Sequence, residues 1–143
     1  MGIMAGPVKG DLPLPMIATR DIGAYAAEAL LKLDFAGKSA QELQGARDVT
    51  YAEAAKIVGA AIGKADLGYK LVPAALLKPL LVQVGMSSNM ADLLLEMAGA
   101  LNSGHMKMLE PRSPANMTPT TLETFVAEIF LPAYRGKASG ASD

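Results

Sequence analysis

The sequence predicts a helix-dominant α/β chain with few short strands. Long segments carry apolar residues at helical spacing, and only brief stretches have the pattern and length of strands. Cap and stop residues also fall where the periodic segments begin and end.

Met1 to Leu14 is rich in Gly and Pro and has no period, so it reads as a lead-in loop. Met16 to Ala18 reads as a short buried strand. Asp21 is placed to cap the helix that follows, at the positive end of its dipole. That helix runs to Leu33 with Ile22, Ala26, Ala29, Leu30 and Leu33 along one stripe. A turn containing Gly37 follows, then a strand candidate at Gln41 to Gln44 closed by Gly45.

Thr50 and Glu53 form a T-x-x-E capping box ahead of a helix from Tyr51 to Ile62, which Gly63 stops. Its core stripe is Ala54, Ile57, Val58, Ala61 and Ile62. Leu67 to Val72 alternates as a strand. Pro73 begins a helix, and Pro79 inside it predicts a kink or two short helices over Ala74 to Gln83. Ser87 or Ser88 caps the next helix, with Met90, Leu93, Leu94, Met97 and Leu101 as its stripe and Met90 and Met97 read as core. Thr118-Pro119 has the order that opens a helix, with Leu122, Phe125, Val126, Ile129 and Phe130 inward and Pro132 as the stop. Residues 136 to 143 read as a disordered tail, which leaves 15 to 135 as the folded portion.

The 143 residues are enough for one core. At 51% hydrophobic, with a mean hydropathy of +0.26, the chain carries apolar surface that needs a larger interior or a partner. A net charge of −1 offers no basic field for nucleic acid or anionic lipid. The absence of cysteine excludes disulfides and thiolate chemistry, and a single histidine excludes multi-histidine metal sites. No signal-peptide pattern opens the sequence, and the apolar run Leu71 to Met86 is broken by Pro73, Lys78, Pro79 and Gln83. A cytoplasmic protein is expected.

Chemistry-bearing motifs are sparse. Gly2, Gly6 and Gly10 do not fit G-x-G-x-x-G after a strand, and Gly59 to Lys64 falls at a helix end, where a phosphate loop does not work. None of Tyr25, Tyr51, Tyr69 and Tyr134 is followed four residues later by Lys, so no cation stands by in sequence to make a tyrosine an acid. His105 reads either as a cation at a helix C-terminus or as a polar contact to a substrate. Met86, Met90, Met97, Met106 and Met108 suit an adaptable pocket wall or a core equally. Glu110-Pro111-Arg112 reads as a structural salt-bridge element rather than a ligand clamp, and Asn116-Met117-Thr118 matches a glycosylation acceptor only on paper.

In order along the chain, PMIATRDIGAYAAEALL, LQGARDVTYAEAAKIVGAAIGK, YKLVP, the VGM and LLLEMAGALNSGHM run, and EPRSPANMTPTTLETFV resemble the second half of NmrA-like proteins. These are atypical short-chain dehydrogenases/reductases (SDRs) related to NAD(P)H-dependent quinone and dye reductases. The resemblance spans Leu14 to Phe130. It implies the C-terminal, substrate-side portion of an NAD(P)-binding Rossmann-type fold, inactive by itself. NAD(P)H serves the intact family, and none is expected to bind this chain alone. The acceptor implied is a small apolar molecule such as a quinone.

The resemblance also implies Met86, Met90, His105 and Met106 as substrate-pocket candidates, with no catalytic, cofactor-binding or metal-binding residue. Asp21, Gly23, Thr50, Tyr51, Thr118, Pro119 and Thr121 match structural positions. Two other readings fit the same residues. One is part of a non-catalytic NAD(P)-binding redox sensor. The other is a stand-alone helical module forming a homodimer through exposed apolar surface.

Overall fold

The computed structural model describes residues 2–33 and 35–139, with side chains through 136. The chain divides into two compact units. The first comprises Met1–Leu12 and Thr50–Met108, the second Pro13–Val49 and Leu109–Asp143.

In the first unit, β1 (Ile3–Gly6) pairs in parallel with β2 (Gly68–Leu71), Ile3 opposite Gly68 and Gly6 opposite Leu71. The expected lead-in loop therefore contains a strand. Three residues between Gly2 and Gly6 give no readable alternation, and only the distant partner reveals the strand. α2 (Tyr51–Ala61) is capped by Thr50, whose hydroxyl accepts the Glu53 N–H at 3.1 Å as the sequence implies. It buries Ala54, Ala55 and Gly59.

α3 (Ala74–Gln83) is one helix that carries Pro79 inside it. α4 (Ser88–Asn102) is capped by Ser87 through the Met90 N–H and buries Ala91 and Ala98. The expected stripe is displaced, since Met90, Leu93 and Met97 are each about half exposed and the two methionines are not core. Small side chains allow the close approach on the alanine face.

In the second unit, Leu14 bridges Val49 in antiparallel fashion and Gln44 bridges Met117 in parallel fashion. Residues 16–18 and 41–43 make no ladder, contrary to the sequence expectation. Gln44 is the hub. Its N–H donates to the Asn116 carbonyl, its carbonyl accepts from the N–H and hydroxyl of Thr118, and its amide donates to the Glu110 carbonyl. Asn116 is buried with its amide donating to the Pro111 carbonyl, which removes it as a surface acceptor. Arg112 pairs with Asp48 and donates to the Gly45 carbonyl, so its ionic partner is not the neighbouring Glu110. A Cβ at Gly45 would run into the carbonyl oxygen of Met16, which fixes glycine there.

α1 (Thr19–Lys32) leaves its apolar stripe bare. None of its residues is buried, and Leu30 is 64% and Leu31 84% exposed, with Leu33 just beyond at 72%. α5 (Leu122–Phe125) is capped by Thr121, three residues later than the sequence indicates. Thr118 and Thr120 are committed to Gln44 and Asp21 and cannot serve the helix.

Pro132 does not stop the chain's last helix. A π-helical turn over Val126–Phe130 precedes it, and α6 (Leu131–Ser139) continues through it. The wider turn relieves the clash between a proline ring and the carbonyl one turn back. Ile129, expected inward, is 45% exposed. Residues 136–139, expected as tail, are helical, and 140–143 lie outside the described residues.

Candidate functional site

Two extended legs of the second unit each run into a helix and enclose a groove. One leg is residues 16–18 ahead of α1, the other residues 120–121 ahead of α5. Met16, Ile17, Ala18, Leu122 and Phe125 form the apolar lining, and Thr19, Thr120 and Thr121 add hydroxyls. Its volume is about 230 Å³, the size of a small ring compound.

Asp21 holds the legs together. Its carboxylate accepts the Thr120 N–H at 3.0 Å and the Thr120 hydroxyl at 2.7 Å, rather than capping its own helix. The N-cap of α1 is Ala18, which has no side chain to serve. Burial works to raise the Asp21 pKa, but the bonds from Thr120, with Thr118 and Arg20 nearby, more than offset it and leave it below the ordinary value.

Arg20 donates to the same Thr120 oxygen at 3.3 Å and pairs with Glu128 at 2.7 Å. The Thr120 hydroxyl is therefore fully engaged, and the Thr121 oxygen accepts the Thr124 N–H. Among the described residues, no titratable side chain lines the groove. Its walls offer apolar surface and threonine hydroxyls.

A second groove, about 370 Å³, belongs to the first unit and is lined by residues 4–8, Tyr51 and Tyr69. Tyr51 and Tyr69 stack with ring centroids 5.0 Å apart. The Tyr69 hydroxyl donates to the Val8 carbonyl at 2.7 Å. Burial, and then Tyr51, raise the Tyr69 pKa, so its phenol is a poorer acid than a free tyrosine. A Cβ at Gly6 or Gly10 would sit 2.9 Å from the Tyr69 side chain, which is how the ring lies so close to the loop.

The four pocket residues expected from the sequence line neither groove. Met86 and Met90 stand at the N-terminal end of α4, and His105 and Met106 lie beyond its C-terminal end. A helix of that length measures about 21 Å, so the four are not brought together. Met86 is half-buried, while Met90, His105 and Met106 are exposed. Sequence reasoning missed the threonine-lined groove because its residues come from two segments about 100 positions apart. The one local signal was the density of threonines at Thr118, Thr120 and Thr121.

A dinucleotide needs a glycine-rich turn between a parallel strand and a helix N-terminus. β2 leads into α3 through Val72-Pro73, which has no glycine. The end of α2 likewise closes on itself, the Lys64 N–H bonding the Gly59 carbonyl at 2.8 Å. At these two places the described residues do not form a dinucleotide loop. Nor do they hold a group of three or more acidic or histidine side chains suited to a metal ion. No described helix is long and apolar enough to cross a membrane.

No family model and no curated protein matches the sequence. Among solved structures, the fold is similar to that of the NADPH-dependent quinone oxidoreductase QOR2 of Escherichia coli, crystallised in complex with NADPH. The two are 24% identical with a TM-score of 0.66, over 90% of this chain and 45% of that one. The chain thus spans less than half the length of that protein, and it shares the helix-dominant α/β fold of that part.

Proposed function

We propose that this chain is the C-terminal, substrate-binding portion of an NmrA-like NAD(P)H-dependent oxidoreductase that reduces a small apolar acceptor such as a quinone, and that it is inactive alone. The supporting observation is the likeness of nearly the whole chain to under half of an NADPH-dependent quinone oxidoreductase. The bare stripe of α1 agrees with a surface made to be covered.

On this reading the groove of the second unit holds the acceptor. Ile17, Leu122 and Phe125 exclude water from the ring, while Thr19 and Thr121 offer hydroxyls to its carbonyls. This chain orients the acceptor, and the dinucleotide is held by residues other than these. The test is a pair of titrations of the purified chain, NADPH followed by nicotinamide fluorescence and menadione followed by NMR of the Met16 and Ile17 methyls. Menadione shifts at those methyls with no NADPH binding are expected. Tight NADPH binding, or menadione that leaves both methyls unmoved, overturns the reading.

A further inference from the structure

The groove of the second unit has apolar walls, yet the charges beside it are unbalanced. Asp21 and Glu128 are two carboxylates, and Arg20 is the cation bonded among them. Of these, Asp21 lies deepest, with a side chain only 10% exposed and both oxygens bonded to Thr120, a residue of the groove wall. The described lining contributes no charge to offset it.

Resting on the acceptor reading above, we infer that Asp21 makes this groove selective for neutral carbonyl compounds over anionic ones of the same ring system. A neutral quinone meets only apolar carbon and threonine hydroxyls. An anionic ring brings a like charge towards a carboxylate that its two Thr120 bonds hold ionised, across a groove open to solvent. The α1 N-terminus and the Arg20 guanidinium oppose this with positive charge, but Arg20 is shared with Glu128, so two carboxylates stand against one full cation and a partial charge. Asp21 is here a specificity residue acting through charge and through the position of Thr120, and it touches no reacting atom.

The test compares menadione with 1,2-naphthoquinone-4-sulfonate on the purified chain, by calorimetry and by the methyl shifts of Met16 and Ile17. Menadione is expected to bind at least about fivefold more tightly, the size of one like-charge repulsion in a half-solvated site. Added salt narrows that gap by screening, and Asp21→Asn narrows it without salt. Equal affinities, or a gap indifferent to salt, overturn the inference while leaving the acceptor site standing. A salt-insensitive gap is steric. If neither compound moves the methyls, the acceptor reading itself has failed. The salt series uses the unmodified chain, so the outcome does not depend on the variant folding.

Discussion

The carboxylate of Asp21 and the hydroxyl of Thr120 meet at 2.7 Å across 99 positions of sequence, and the Thr120 N–H adds a second bond to the same group. The Asp21 pKa is lowered in the fold, so folding favours its charged form. Its stabilisation is complete above the unfolded value near 3.8 and is lost as pH falls through the folded value. Asp21→Asn is expected to flatten the acid end of the stability profile. Denaturant melts between pH 2 and pH 6 check this, and an unchanged acid limb contradicts it.

Thr121 caps α5, although Thr118-Pro119 looks the better opening. Thr121→Ala should therefore cost about 1 kcal/mol. Thr118→Val should cost a similar amount, about 1 kcal/mol, by removing the buried bond to the Gln44 carbonyl. The two differ in amide exchange, which should rise at Thr124 for the first variant and around Gln44 for the second.

Gly10 lies against the ring of Tyr69. Gly10→Ala must push that ring or the loop aside, at a cost of about 1–3 kcal/mol. Near-ultraviolet circular dichroism should change as the Tyr51–Tyr69 stack is disturbed, and Gly99→Ala, at a site with open space, should leave the signal intact.

Pro132 sits just beyond the π-helical turn at Val126–Phe130. Pro132→Ala restores an N–H and removes the ring, so the turn is expected to relax towards regular α geometry. Carbonyl chemical shifts from Val126 to Leu131 report this directly. A turn that stays wide would assign it to packing of Val126 rather than to the proline.

Where a residue acts on its near neighbours, the sequence was readable. Thr50 caps α2 and Ser87 caps α4 through N–H groups three positions away. The same residue types misled where their partners were remote, since Asp21 and Thr118 bond to segments that no local window contains. β1 was missed because its identity lies in its pairing with β2. The α4 stripe was misplaced because Ala91 and Ala98, which weigh little on a hydropathy scale, are the buried residues. The groove was illegible for the reason Asp21 was: its walls are assembled across the chain.

Each compact unit is assembled from two separate stretches, with Pro13–Val49 interposed between the halves of the first. During synthesis on the ribosome, β1 emerges before β2 and must wait for it. The first unit has all its residues once Met108 is out, whereas the second lacks about half of its own until Leu109–Asp143 is made. A chain cut short after Met108 would keep both rings of the tyrosine stack, but of the threonines that wall the other groove it would keep Thr19 and lose Thr120 and Thr121.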